Sequence, residues 1–144
     1  MLEQLLEKDP NQVRLIFLNF PLRSHKFSKK AAVAAFAAKR QGKFWQYHDR
    51  LFMNGDNLSD EKFLQIARDL NLNMEEFEKD MNDLKIVARI NQDIRLGGYL
   101  GVRGTPTVYI NGRLSKARTL EALQAEVEIE LRKVKKEGKS KGRG

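Results

Sequence analysis

Residues 101–113 constrain the fold more than any other stretch, because they predict a restricted loop followed by a strand and a tight turn. Pro106 fixes its own backbone and restricts Thr105 before it. Residues 107–110 are β-branched or aromatic and favour a strand, and a proline at the start of a strand loses no ladder hydrogen bond. Asn111-Gly112 is typical of a two-residue hairpin turn. The stretch therefore predicts a loop that opens a β-hairpin, with both isomers of the Thr105–Pro106 bond left open.

The composition predicts one soluble domain without thiol chemistry. A chain of 144 residues is long enough to bury a core. No apolar run approaches the roughly 20 residues that span a bilayer, and the first seven residues are acidic where a signal peptide is basic. The 144 residues include no cysteine, which excludes thiolate nucleophiles, thiolate metal ligands and disulfides from them.

The apolar periodicity predicts a mainly helical chain with few strands. An opening helix with Leu2, Leu5 and Leu6 on one face ends before Pro10, and a buried strand follows at residues 13–20. Helices are predicted at residues 28–40, 43–53, 59–70, 74–81 and 84–96, a strand pair at residues 107–110 and 114–116, and a last helix after residue 119. The predicted N-caps are Ser28, Ser59, Asn73 and Thr119. Gly97 and Gly98 are expected to close the fifth of these helices, and Phe44, Trp45 and Tyr47 are interpreted as core residues.

Residues 101–113 resemble the cis-proline loop of DsbA-like thioredoxin-fold disulfide oxidoreductases. The phrase Gln-Gly-Lys-Phe-Trp-Gln-Tyr-His-Asp-Arg-Leu-Phe at residues 41–52 is similar to one that DsbA-like sequences share. The resemblance implies an α/β, thioredoxin-like sheet at residues 1–131 with a helical subdomain inserted at about residues 28–98, and a basic, frayed tail at residues 132–144. It also implies that Gly104, Thr105 and Pro106 hold extended polypeptide through its backbone.

The family activity is thiol–disulfide exchange on secreted proteins, in the periplasm or another exported setting, although the compartment of this chain stays unassigned. By the same resemblance the chain lacks the first strand of the family, its Cys-x-x-Cys pair and the start of the helix that bears them. We therefore expect an N-terminally truncated member without catalytic residues, inactive in exchange and left with weak peptide binding. A domain that is non-catalytic by design is the alternative interpretation.

In the family, the first strand lies between the counterparts of residues 13–20 and 107–110. Its absence leaves two strand edges without partners, which is costly for backbone groups. Three outcomes stay open: the two strands pair directly, a second copy pairs with them in a homodimer, or the chain is an incomplete fragment. A strand-mediated interaction module is thus the rival functional hypothesis.

Other sites receive little support. His25 and His48 are far apart, with only Asp49 beside His48, so no metal site is predicted, and no cofactor is predicted either. The glycines at positions 97, 98, 101 and 104 precede a strand and lack the Lys-Ser/Thr of a phosphate loop. From Arg132 onward, seven basic residues and one acidic residue supply +6 of the net charge of +8. Without aromatic residues among these charges, nucleic-acid binding by the tail is the less favoured alternative, and it would show a steep salt dependence.

Overall fold

The structure is a computed structural model that describes residues 2–22 and 24–141, and the side chains of residues 4–22 and 24–136. Its elements in chain order are α1 (Leu2–Lys8), α2 (Ser28–Arg40), α3 (Phe44–Met53), a 3₁₀ turn (Gly55–Asn57), α4 (Asp60–Asp69), α5 (Met74–Met81), α6 (Leu84–Tyr99), β1 (Tyr109–Ile110), β2 (Arg113–Leu114) and α7 (Leu120–Lys141). They divide into two compact units. The terminal unit comprises residues 1–17 and 105–144, and the helical unit comprises residues 18–104.

The helical unit is built around α2, whose alanines favour the helix and allow close approach of its neighbours. Ala34, Ala37 and Ala38 are completely buried, and α2 packs against α3, α4, α5 and α6. These neighbours contribute the large core side chains, which are Tyr47, Phe63, Phe77 and Ile90. A fully buried phenylalanine or isoleucine contributes about 1.5–3 kcal/mol through its removal from water.

Three of the four predicted N-caps are confirmed. They are Ser59, Asn73 and Thr119, whose side-chain oxygens accept hydrogen bonds from the N–H groups of Lys62, Glu76 and Ala122 at 3.1, 3.1 and 3.2 Å. The prediction for Ser28 is wrong, because Phe27 holds the cap position and Ser28 is the first helical residue. The Ser28 hydroxyl instead donates toward the carbonyl oxygens of Leu22 and His25, at 2.7 and 2.9 Å, and so orders the loop before α2.

Helix α6 runs past its predicted end. Gly97 and Gly98 lie inside the helix, which closes at Gly101 with a φ of +73°. The N–H of Gly101 donates to the carbonyl of Gly98 at 3.1 Å, and the N–H of Val102 donates to that of Gly97 at 2.9 Å. This pair of bonds is a Schellman motif, for which glycine in the left-handed region is the preferred residue. Gly97 serves a different purpose, since a Cβ there would lie 2.6 Å from the Phe20 ring.

The terminal unit contains the predicted hairpin. β1 and β2 pair antiparallel, with Tyr109 opposite Leu114 and Ile110 opposite Arg113. Asn111 and Gly112 both have positive φ, at 47° and 79°, as a type I′ turn requires. On α7, Leu123 and Val127 are buried, and α1 packs against this helix. The basic side chains predicted beyond Lys136 lie outside the described residues, as do residues 142–144 entirely and the side chain of Leu2.

The predicted strand at residues 13–20 is wrong. These residues adopt neither helix nor strand, and β1 pairs only with β2 in the described sheet. Val13 and Leu15 line a cavity of about 150 Å³ together with Val108 and Ile110. The apolar composition of the segment favours a strand, but a strand exists only where its peptide groups find a partner.

Candidate functional site

Gly104, Thr105 and Pro106 lie consecutively in the loop that leads into β1. Thr105 and Pro106 are exposed, Gly104 is half-buried, and the Thr105–Pro106 peptide bond is cis. Gly104 is the last residue of the helical unit, and Thr105 opens the second segment of the terminal unit. A Cβ on Gly104 would meet nothing within 4 Å, so the space beside its backbone is open.

The loop lacks the groups that thiol–disulfide chemistry needs. None of its three residues carries an acid, a base or a thiol, so the loop has no group that could attack a disulfide. Thr105 and Pro106 are exposed, and the space beside the Cα of Gly104 is open.

The hairpin supports the loop on its C-terminal side. The N–H of Ser115 donates to the carbonyl of Val108 at 2.9 Å, which extends the β1–β2 pairing by one residue pair toward Pro106. Ser115 is buried, and its hydroxyl oxygen accepts from the N–H of Ala117 at 3.1 Å. Position 107 is thus the single residue between the proline and this paired backbone.

His48 belongs to an aromatic cluster on α3. Its ring centroid lies 5.8 Å from that of Phe44, 5.6 Å from Trp45 and 4.7 Å from Phe52, and its Nδ1 lies 3.3 Å from a carboxylate oxygen of Asp49. His25 is exposed. The described residues contain no group of three or more histidine, aspartate or glutamate side chains that could hold a metal ion.

The aromatic residues of α3 that were predicted as core differ in burial. Tyr47 is fully buried, and its hydroxyl donates to the carbonyl of Phe63 at 2.8 Å. Burial raises the pKa of Tyr47, because it disfavours the phenolate. Trp45 is 40% exposed, and its core prediction is therefore wrong. The two residues differ because Tyr47 lies on the face of α3 that is directed at Phe63 and Phe77, and Trp45 does not.

The helical unit contains one groove that the sequence analysis did not predict. It encloses about 430 Å³ between α2 and α6, and its lining residues are Phe36, Lys39, Arg40, Lys85, Ile86 and Arg89. The signal in the sequence is a pair of basic residues at the end of α2 and another pair four residues apart on α6.

Acidic neighbours compensate most of the positive charge of this groove. Arg40 pairs with Asp83 at 2.7 Å and also with Asp80, and Arg89 lies 3.3 Å from Asp93. Hydrogen bonds to Asp83 and Asp80 raise the pKa of Arg40. The pKa of Asp83 is lowered, first by the N–H of Lys85 and then by Arg40. The groove therefore serves to join α2, α5 and α6, and we assign it no ligand.

Comparison with known proteins decides the family. The family model described as "DSBA-like thioredoxin domain" matches residues 3–128. The chain belongs to the DsbA-like thioredoxin family. A solved structure of a thioredoxin-like oxidoreductase from Silicibacter pomeroyi superimposes on this DsbA-like chain with a TM-score of 0.75 and 30% identity, covering 92% of this chain and 75% of the other. The fold is thus thioredoxin-like α/β with a large helical part.

The curated relatives are longer proteins. A probable disulfide bond formation protein D of Bacillus cereus is 28% identical over 134 residues, which cover 87% of this chain and 61% of that protein. Na(+)/H(+) antiporter NhaA 3 of Salinispora tropica is 36% identical over 121 residues, which cover 83% of this chain and 19% of the antiporter. None of the described helices of the DsbA-like chain has the length and apolar character that crossing a bilayer demands.

Proposed function

We propose that these 144 residues form a DsbA-like domain that binds extended polypeptide weakly at Gly104, Thr105 and Pro106 and does not exchange disulfides. The observation that carries the proposal is the exposed loop itself, in a chain of the DsbA-like family that contains no cysteine. Disulfide exchange requires a thiolate that attacks sulfur, and these residues provide none.

Main-chain recognition is the mode of binding that the loop supports. Its side chains carry no charge, and the open space at Gly104 leaves room for a second backbone to approach. Binding of this kind is weak when few residues contribute, because the peptide loses conformational freedom on ordering. We expect a dissociation constant on the order of 0.1–1 mM.

The test compares two glycine-to-valine variants. Gly104→Val places a branched side chain where the peptide backbone would lie, and Gly55→Val adds the same side chain at a glycine with equally open surroundings in the 3₁₀ turn. A fluorescein-labelled, cysteine-free peptide of alternating threonine and valine is titrated into each protein. The backbone amide resonances of the protein are recorded by NMR at each step. We expect shifts centred on residues 104–107 in the wild type and in Gly55→Val, and a loss of affinity of about tenfold or more in Gly104→Val.

Two results would contradict the proposal. Equal affinity in Gly104→Val and the wild type would place the peptide elsewhere on the domain. The second is acceleration of disulfide exchange in an unfolded substrate, in glutathione buffer, above the rate without protein, because that result requires chemistry other than a thiolate of this chain.

A further inference from the structure

The outer side of α7 carries a basic surface beyond residue 128. Leu123 and Val127 lie on the packed side of this helix and are buried. Lys136 follows Val127 by two and a half helical turns, so it lies on the opposite side. Arg132, one turn before Lys136, shares that side, and Lys135 lies beside both. All three cations are exposed, and together they form the basic face of α7.

Acidic side chains compensate this basic face only in part. Arg132 lies 3.5 Å from a carboxylate oxygen of Glu128, and its own side chain is 75% exposed. The same glutamate also lies 3.4 Å from Lys8 of α1, so one negative charge is shared between two cations. Among the described side chains, none forms an ion pair with Lys135 or Lys136. The surface therefore keeps a net positive charge that is open to solvent.

An exposed isoleucine lies beside these cations. Ile129 is 52% exposed, and it precedes Arg132 by three residues and Lys136 by seven, which places it on the same side of the helix. A phosphate backbone offers charge to such a surface but no apolar partner for the isoleucine. The surface of a bilayer offers both, because anionic headgroups lie directly above an apolar region.

We infer that the basic face of α7 docks on the surface of an anionic bilayer, with Ile129 inserted among the lipid headgroups. Clusters of about four to eight lysines and arginines on a helix are typical of anionic-lipid binding, and seven basic residues and one acidic residue follow from Arg132 onward. Docking leaves the packing of α7 on α1 unchanged, because the lipid meets only the outer side of the helix. The isoleucine favours a bilayer over a nucleic acid, since it leaves water only in contact with lipid.

Vesicle co-sedimentation tests the charge of the basic face. Vesicles of phosphatidylcholine with about 30% phosphatidylglycerol are compared with phosphatidylcholine alone at about 0.1 M salt, where exposed charges act over about 10 Å. We expect the wild type to bind only the anionic vesicles, and Lys135→Glu/Lys136→Glu to lower the partition coefficient at least about tenfold. Lys29→Glu/Lys43→Glu changes the net charge equally at exposed lysines of the helical unit, and it should stay within about threefold of the wild type. Circular dichroism verifies that each variant is folded.

Tryptophan fluorescence tests the insertion of Ile129. The chain has one tryptophan, which is Trp45 in the helical unit. In Ile129→Trp/Trp45→Phe, the introduced indole is the only one in the protein. Its emission should shift to shorter wavelength on anionic vesicles, because the indole leaves water for the interface. The emission of Trp45 in the wild type should not shift.

Four results would overturn the inference. They are a wild type that binds neutral and anionic vesicles equally or binds neither, an equal loss of binding in the two lysine pairs, and an unshifted emission of Ile129→Trp/Trp45→Phe on vesicles that it binds. The fourth comes from a fluorescently labelled DNA duplex at the same salt concentration. Tighter binding to the duplex than to the vesicles, at equal phosphate concentration, would identify the partner as nucleic acid.

Discussion

A buried carboxylate fixes the end of the irregular segment at residues 13–20. One oxygen of Asp93 accepts hydrogen bonds from the backbone N–H and the side-chain amide of Asn19, at 3.1 and 3.0 Å. Both residues are almost completely buried, at 3% and 4% exposure, so water cannot replace the acceptor. The other oxygen of Asp93 faces Arg89 at 3.3 Å. The contact therefore ties the backbone at Asn19 to helix α6 within the helical unit.

Replacement of the Asp93 carboxylate should destabilise the domain. In Asp93→Ala, two donors of Asn19 lose their acceptor inside the protein, and we expect the free energy of unfolding to fall by about 2–3 kcal/mol. Arg95→Ala, on the same helix but exposed, should change it by less than about 0.5 kcal/mol. Urea denaturation of both variants gives the comparison. If Asp93→Ala unfolds at the same urea midpoint as Arg95→Ala, the contact does not stabilise the domain.

At the scale of the element, α6 contains adjacent glycines with different surroundings. Both lie inside the helix, where glycine is less favourable than alanine by about 1 kcal/mol. A Cβ on Gly98 meets nothing within 4 Å, but a Cβ on Gly97 lies 2.6 and 2.7 Å from two carbons of the Phe20 ring. Packing against Phe20 therefore explains the glycine at position 97 but not the one at position 98.

The two glycine-to-alanine variants should shift stability in opposite directions. Gly98→Ala gains helix propensity and should raise the free energy of unfolding by about 0.5–1 kcal/mol. Gly97→Ala gains the same propensity but must displace the Phe20 ring, and overpacking costs about 1–3 kcal/mol, so a net decrease is expected. Thermal unfolding of each variant shows whether its stability rises or falls relative to the wild type. In a Phe20→Ala background the decrease should disappear, and its persistence there would refute the steric explanation.

The glycine pair also illustrates what local sequence can predict. The caps at Ser59, Asn73 and Thr119 and the Asn111-Gly112 turn were predictable, because each depends on groups within four residues. The place of Gly97 inside α6 was not predictable, since the reason for its glycine is the Phe20 ring, 77 positions earlier in the chain. Ser28 was misjudged for a similar reason: the loop before α2 supplies two carbonyl acceptors that the local cap pattern does not reveal.

At the scale of the whole molecule, the family was more predictable than the sheet. The phrase at residues 41–52 and the loop at residues 101–113 were enough to identify the DsbA-like family, and the family model confirms it. The prediction of a strand at residues 13–20 failed because a strand forms only beside a neighbouring strand. The sequence pattern of a single segment does not show whether such a neighbour is present. The loop at Gly104, Thr105 and Pro106 was located from its sequence, while its binding of peptide stays a prediction.

The two units should differ in local stability. Of the five largest fully buried side chains among the described residues, Tyr47, Phe63, Phe77 and Ile90 belong to the helical unit and Leu123 belongs to the terminal unit. The terminal unit also contains the cavity beside residues 13–15, and lining atoms of a cavity lose packing contacts. Regions with few buried contacts open at lower free energy than a well-packed core.

Native-state hydrogen exchange tests this difference amide by amide. We expect the central amides of α2 and α5 to exchange at least about tenfold more slowly than those of β1, β2 and the first turns of α7. The measurement belongs at low protein concentration, where contacts between copies of the chain cannot add protection. Uniform protection of both units would mean that they open in one cooperative step, and the free energy of unfolding could then be treated as a property of the whole chain. Separate protection would mean that the loop at Gly104 joins a stable helical unit to a terminal unit that opens more readily.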